Sequence, residues 1–255
     1  MNRLYNLTIL SIKEAFRIPI AIFFNVVFPI IMLVIFVTIN GGNRTLMEGY
    51  TIADFSFGVA LTMGMAATSC IYMPKGIAID RDKGIIQTNI VFGVSPIINV
   101  FARMLAIFVI GIGQFFVVLS ISYFVYKINI PSTTYLFAYI VQYLLILLGM
   151  LNIGLLIGLI SKKVEESEAI GMIFMFLILI FAGVMGGVDK FPKWVQDLSE
   201  YVPTTYIGSD LGKTWMENQH YSKELIYVSI GYIVILGILN ILVARKKLDS
   251  NIVFK

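Results

Sequence analysis

Charged residues are scarce in this sequence: they make up 13% of its 255 residues, while hydrophobic residues make up 58%. About a quarter of the residues in a soluble domain are charged, and the mean hydropathy of this chain is +0.89. The composition therefore excludes an ordinary soluble globule and predicts a membrane protein. The longest polar segment, residues 189–224, is too short to hold a separate soluble domain.

Cysteine and histidine occur only once each. The single Cys70 excludes an intrachain disulfide, and its apolar surroundings favour a small buried hydrophobic residue. His220 lies in a polar stretch without cysteine or histidine companions, so we predict no metal site. The net charge of +4 comes from basic residues scattered over the loops, which argues against a nucleic-acid partner.

The sequence also lacks an energy source of its own. No charged residue lies near the middle of an apolar run, whereas ion-coupled transporters usually carry such residues there. Residues 208–214 (GSDLGKT) have three residues between their glycines, where a phosphate-binding P-loop needs four. No nucleophile–histidine arrangement or carboxylate pair occurs within an apolar run. We therefore predict no catalytic residue, no bound cofactor and no enzymatic activity on this chain.

Long apolar runs are abundant. Six of them reach about the 20 residues that a helix needs to cross a hydrocarbon core. They predict an all-α membrane protein, a single domain over residues 1–255, with six transmembrane helices. The predicted spans are at about residues 20–39, 54–73, 98–126, 135–160, 169–188 and 225–244.

Residues 1–19 are amphipathic when placed on a helix. Arg3, Lys13 and Arg17 lie on one side and most apolar residues on the other, although Leu10 intrudes on the polar side. Such a helix is typical of the headgroup plane of a bilayer. We predict an N-terminal interfacial helix rather than an ordinary polar leader.

Lysine and arginine set the expected orientation. They are about twice as frequent in the loops on the same side of the membrane as the N-terminus as in the loops on the other side. Basic loops usually face the cytoplasm. We therefore expect a multi-pass protein of the cell membrane with both termini in the cytoplasm. Residues 75–96 then lie in the cytoplasm, and residues 189–224 lie outside.

Residues 75–96, which we call the coupling segment, are longer and more charged than a passive loop requires. The segment contains Asp80, Arg81, Asp82, Lys83 and Gly84, then the apolar Ile85 and Ile86, and ends at Ser95 and Pro96. At protein interfaces, charges set the register and buried apolar residues anchor the contact. We predict one or two short helices that dock another protein, with residues 80–84 orienting the partner and residues 85–92 anchoring it.

A second informative stretch, residues 183–206, follows the fifth span. Trp194, Val195, Leu198 and Tyr201 recur at helical spacing opposite polar residues, and tryptophan and tyrosine are enriched at membrane interfaces. We predict a short re-entrant helix in the outer leaflet. It is interpreted as a gate over an exit path, and the alternative is an ordinary structured loop.

These two stretches carry a family resemblance that covers the whole chain. The residues concerned are Asp80-Arg81-Asp82-Lys83-Gly84 with Ser95-Pro96, and Gly183, Phe191-Pro192-Lys193-Trp194 and Pro203-Thr204-Thr205-Tyr206. In this order they resemble the permease subunit of ABC type-2 transporters. The family often has glutamate where this chain has Asp80 and Asp82, which keeps the charge and shortens the side chain.

The resemblance implies a bacterial exporter of drugs, antimicrobial peptides, lipids or glycans. It implies a separate cytoplasmic ATPase that binds ATP and Mg²⁺, and a second permease copy, as a homodimer, or a sister permease in the bilayer. It assigns Asp80, Arg81, Asp82, Lys83, Gly84, Ile85, Ile86 and Pro96 to ATPase coupling, and Gly183, Phe191, Pro192, Trp194, Pro203 and Tyr206 to the outer gate. The scarcity of polar residues in the spans favours an amphiphilic substrate. The alternative function is a membrane resistance or immunity protein that binds its target without pumping and needs no ATPase.

Overall fold

A computed structural model describes residues 2–17, 19–41, 44–47, 49–184, 188–206, 211–216 and 220–250. The chain is almost entirely helical. The α-helices are α1 (Asn2–Arg17), α2 (Pro19–Ile22), α3 (Phe28–Asn40), α4 (Ile52–Ala67), α5 (Met73–Asp82), α6 (Ile85–Val91), α7 (Pro96–Tyr126), α8 (Thr133–Ile160), α9 (Val164–Phe181), α10 (Lys193–Ser199), α11 (Gly212–Met216) and α12 (Lys223–Ser250). A small antiparallel hairpin, β1 (Thr45–Met47) with β2 (Tyr50–Thr51), precedes α4.

Among the described residues, five helices are long and apolar enough to cross a membrane, so the prediction of an all-α membrane protein is confirmed. They are Phe23–Asn40, Ile52–Asp82, Pro96–Tyr126, Thr133–Ile160 and Lys223–Lys247. The predicted fifth span corresponds to α9, which falls outside this group because three glutamates lie near its start, at residues 165, 166 and 168. The count of six spans therefore stays a prediction.

The second long helix continues further than we predicted. We placed its end near residue 73, but α4, a π-helical turn (Thr68–Tyr72) and α5 form one uninterrupted helix, Ile52–Asp82. We call it the central helix, because most of its length is buried by the other helices. The first half of the coupling segment is therefore the end of this long helix, and it packs against α7, α8 and α9. Its physical reason is that residues 75–82 contain no helix-breaking proline and only one glycine.

Two prolines explain two π-helical turns. The turn Phe23–Val27 ends just before Phe28-Pro29, and the turn Thr68–Tyr72 ends just before Met73-Pro74. Proline has no N–H to donate to the carbonyl four residues earlier. A π turn confines the resulting change in the hydrogen-bond pattern to one wide turn. In both turns the last N–H donates five residues back, from Phe28 to Phe23 and from Met73 to Thr68.

Glycines let α8 and α9 approach the π turn of the central helix. A Cβ on Gly154 of α8 would lie 1.7 Å from the Ser69 carbonyl oxygen, and one on Gly171 of α9 would lie 1.9 Å from the Cys70 oxygen. The N–H of residue 74 would donate to the Cys70 carbonyl in an α-helix and to the Ser69 carbonyl in a π turn. Pro74 has no N–H, so it offers neither carbonyl a hydrogen bond. They are buried against glycine Cα–H groups, which are weak donors.

The helix α1 packs along α7. Ala15 is buried against the bundle, Phe16 is exposed on one flank, and Leu10 is exposed on the opposite flank. Arg3 at the start of α1 donates to the carbonyl of Gly93, just after α6. We call the end of the bundle that carries α1 and α6 the α6 end, and the opposite end the α10 end.

Candidate functional site

The coupling segment consists of two helices separated by a glycine joint. After α5 ends, Gly84 has a φ of +69° and a side chain there would be strained. α6 follows, Gly93 has a φ of +75°, and Pro96 begins α7. We predicted one or two short helices here; the segment contains the end of the central helix and the short helix α6, which lies between two glycines with positive φ.

Asp80 points into the protein and not towards a partner. Its carboxylate accepts from Arg103 of α7 at 3.2 Å, and Arg103 also donates to Glu14 of α1 at 2.7 Å. The Arg103 Nη2 that donates to Asp80 also donates to the Gly76 carbonyl oxygen at 3.3 Å. The Arg103 side chain is 3% exposed. We call Glu14, Asp80 and Arg103 the ion triad; it joins α1, the central helix and α7 at one point.

Arg81 and Lys75 tie the same helix to α8 and α9. Arg81 donates to the carbonyl oxygen of Gly158 near the end of α8 at 3.3 Å, and Lys75 forms an ion pair with Glu168. Lys247 of α12 donates to the Ile160 carbonyl at 2.7 Å. Cations are favourable at a helix C-terminus, where carbonyls lack helical donors. The end of the central helix is therefore fastened to α1, α7, α8 and α9.

The outward residues of the coupling segment differ from those we expected. Ile86, a predicted anchor, is buried within this chain, and Ile85 is half-buried. The exposed apolar side chains are Val91 and Phe92, at 85% and 73%. Of the charged residues, Asp82 and Lys83 are exposed, and Pro96 is half-buried at the start of α7. In this conformation the side chains of Asp80, Arg81 and Ile86 contact their own chain, and their assignment to ATPase coupling stays a prediction.

The turn between α8 and α9 is closed by Glu166. Its carboxylate accepts from the Lys162 backbone N–H at 2.6 Å. This backbone hydrogen bond holds the pKa of Glu166 below its usual value. The turn lies beside Lys247 and Arg81, so the α6 end presents two adjacent surfaces, α6 and this turn.

A polar cluster joins three helices in the interior. Thr68 donates to Asn25 Oδ1 at 2.8 Å and lies 3.2 Å from Gln114 Oε1. Asn25 and Thr68 each belong to one of the π turns. All three side chains are buried, so the two proline-induced turns are linked by a hydrogen bond that a shift of either helix would break.

The predicted gate residues surround the α10 end. Gly183 adopts a φ of +69° as α9 ends, and Phe191 and Pro192 lead into α10. Trp194 is 67% exposed, whereas Val195 beside it is 5% exposed.

The chain after α10 folds back onto it. The side chain of Tyr206 donates to the Glu200 carbonyl oxygen at 2.6 Å, and Thr205 donates to the Ser199 carbonyl oxygen at 2.7 Å. Pro203, which lies between the acceptor residues and the donor residues in the sequence, is buried. Residues 188–206, which we call the α10 segment, thus form a folded unit with an exposed aromatic face.

An aromatic cluster in the interior was missed by sequence reasoning. The rings of Phe57 and Tyr139 each lie 4.9 Å from the ring of Trp215, between centroids, and Phe115 packs on Phe57 and Tyr139. Trp215 is in a polar stretch of sequence, so no periodic pattern marks it as buried. Within the described residues, no group of three or more His, Cys, Asp or Glu side chains could hold a metal ion.

Comparisons with known proteins give a consistent result. A family model described as ABC-2 type transporter matches residues 3–211. The linearmycin resistance permease protein LnrN of Bacillus subtilis (strain 168) is 31% identical over 108 residues, which are 42% of this chain and 27% of that protein. ABC transporter G family member 23 of Dictyostelium discoideum is 27% identical over 181 residues, 69% of this chain and 25% of that protein. The chain thus matches about a quarter of the length of each relative.

Proposed function

This chain belongs to the ABC-2 type transporter family, and we propose that it is the membrane-spanning permease subunit of an ATP-driven exporter. A separate cytoplasmic ATPase supplies the energy, and a second permease copy or a sister permease completes the path. The α6 end faces the cytoplasm and the α10 end faces outwards. The cargo is an amphiphile such as a drug, antimicrobial peptide, lipid or glycan.

The observation that carries this proposal is the contrast within the coupling segment. α5 is fastened to α9, α7 and α8 by Lys75, Asp80 and Arg81, respectively, while α6 presents Val91 and Phe92 to the surroundings. Exposed apolar side chains beside charged ones are typical of a protein interface. A partner that moves α6 would therefore move the central helix, and with it α1, α7, α8 and α9.

The ATPase contact is tested with the double variant Val91→Ser and Phe92→Ser. Both side chains are exposed, so we expect insertion and thermal stability of the permease to stay unchanged. Co-purification of the ATPase encoded beside the permease, and its stimulated ATP hydrolysis, should fall sharply. The matched control is Leu198→Ser with Tyr201→Ser, which removes two exposed apolar side chains at the α10 end and should leave ATPase binding intact. Normal ATPase binding by the α6 variant contradicts the proposed contact.

A second function has one supporting observation. The relative from Bacillus subtilis is named a resistance permease, and resistance can also come from a membrane protein that sequesters its target without pumping. Such a protein needs no ATPase. The test uses cells in which every candidate ATPase is deleted. If the chain still protects these cells, and the protection depends on the target, the result supports this second function and counts against the exporter.

A further inference from the structure

A groove lies on the surface between α1, α2 and the face of α7. Its volume is about 310 Å³. The residues that shape it include Ala15, Ala21, Ile22, Val109, Gly113 and Val117. Neither the coupling segment nor the α10 segment contributes to it, so the proposed function leaves it without a role.

Small residues create the groove. Val109, Gly113 and Val117 are spaced one helical turn apart on α7, and the glycine makes a notch between two valines. A Cβ on Gly113 would meet no atom within 4 Å, so nothing in the described chain fills the notch. Eight residues of helix from Val109 to Val117 rise about 12 Å.

The chemistry of the groove matches hydrocarbon. Its lining is apolar except for Asn25 and Gln114, and the amide oxygens of both face Thr68 below the floor. The helices on both sides, Phe23–Asn40 and Pro96–Tyr126, are long and apolar enough to span a membrane. Phe16, Val109 and Val117 on the rim are exposed, so the groove opens into the hydrocarbon region, where water is absent.

The groove also has the direction of a lipid chain. One end lies at α1, which is amphipathic and is predicted to lie at the headgroups. The other end lies along the π turn of the first long helix, at Asn25 and Val26. π turns are frequent at functional sites, because they displace the helix wall.

We propose that this groove is a binding site for one acyl chain of a phospholipid, taken from the leaflet at the α6 end. The chain enters beside α1, passes the Gly113 notch and ends at the π turn. A chain in the groove contacts Ala15 of α1 and Asn25 of the π turn, and Asn25 is hydrogen-bonded to Thr68 of the central helix. The bound chain thereby stabilises the arrangement of α1, α7 and the central helix that the ion triad also holds.

Photolabelling tests the proposal without an ATPase or a cargo. The permease is placed in nanodiscs of phosphatidylcholine carrying a diazirine on one acyl chain, irradiated, and mapped by peptide mass spectrometry. We expect labelling to concentrate on residues 109–117 of α7 and on residues 21–26, which cover the end of α2 and the π turn after it. Labelling spread equally over all exposed apolar faces, including that of α12, overturns the proposal.

Gly113→Phe is the decisive variant, because its Cβ would meet no atom within 4 Å and its ring adds bulk at the notch. Groove labelling should fall to the level found on the exposed face of α12. The matched control is Gly231→Phe, another helical glycine whose Cβ would meet nothing within 4 Å; it should leave groove labelling unchanged. Gly113→Leu provides a smaller plug if the phenylalanine variant does not insert. Undiminished groove labelling in a folded Gly113 variant also overturns the proposal, whereas ATPase binding bears on the proposed function alone.

Discussion

The central helix and the α10 segment, at opposite ends of the molecule, differ in which side chains they bury and which they expose. The central helix carries its charges inward: Asp80 and Arg81 are bound by α7 and α8. The α10 segment carries its aromatics outward, with Trp194 and Tyr201 exposed. In a membrane protein, therefore, a charged stretch need not be exposed, and an aromatic stretch need not be buried.

The difference has a physical origin in what surrounds each part. At the α6 end, four helices converge on the central helix, and each buried charge needs a partner there. At the α10 end, the exposed rings suit a membrane interface, where their apolar bodies meet lipid and their polar atoms meet water. Stability should therefore be concentrated in the central helix, and the α10 segment should tolerate change.

The strongest test of this comparison is Gly154→Ala. Its Cβ would lie 1.7 Å from the Ser69 carbonyl oxygen, and that atom is backbone and cannot rotate away. We expect a loss of more than about 3 kcal/mol, beyond the usual range for overpacking. The measurement is the thermal midpoint of the purified permease, followed by fluorescence-detected size-exclusion chromatography.

The control for that variant is Gly231→Ala on α12, where a Cβ meets nothing within 4 Å. Alanine is a better helix former than glycine by about 1 kcal/mol, so this substitution should be neutral or slightly stabilising. Equal behaviour of the two variants contradicts the close contact between α8 and the π turn.

A somewhat smaller loss is expected for Arg103→Met. The substitution keeps the volume but leaves Asp80 and Glu14 facing each other without a cation. Removing one member of a buried ion pair costs roughly 3 to 5 kcal/mol, and we expect the lower end, about 3 kcal/mol, because Glu14 is half-exposed. The readout is the same thermal midpoint.

Lys83→Met separates this effect from a general loss of charge. Lys83 is an exposed cation just after the same helix, so its removal should change the midpoint little. If Arg103→Met is as stable as Lys83→Met, the ion triad does not hold the α6 end together.

These contrasts also show what the sequence could and could not predict. Each apolar run contains its own signal, so the long helices were predictable one at a time. The partners of Arg103 were not, because Glu14 and Asp80 lie 89 and 23 residues away along the chain and nothing local links them. The alternation of Asp80, Arg81, Asp82 and Lys83 predicted a mixed-charge surface, yet a helix turns successive residues in different directions. Asp80 and Arg81 therefore meet neighbouring helices, while Asp82 and Lys83 remain outside.

The smallest effect on stability should come from Trp194→Ala in the α10 segment. Although it deletes the largest side chain in α10, Trp194 is 67% exposed, and exposed substitutions usually change stability by about 0.5 kcal/mol or less. Val195→Ala removes fewer atoms but should cost more, roughly 1 kcal/mol, because Val195 is 5% exposed. If the segment is a gate, Trp194→Ala lowers export at unchanged stability, as measured by cargo efflux from cells with equal permease levels, and Val195→Ala lowers the thermal midpoint. Unchanged efflux in Trp194→Ala, with full expression, leaves the α10 segment as a structured loop at the membrane interface.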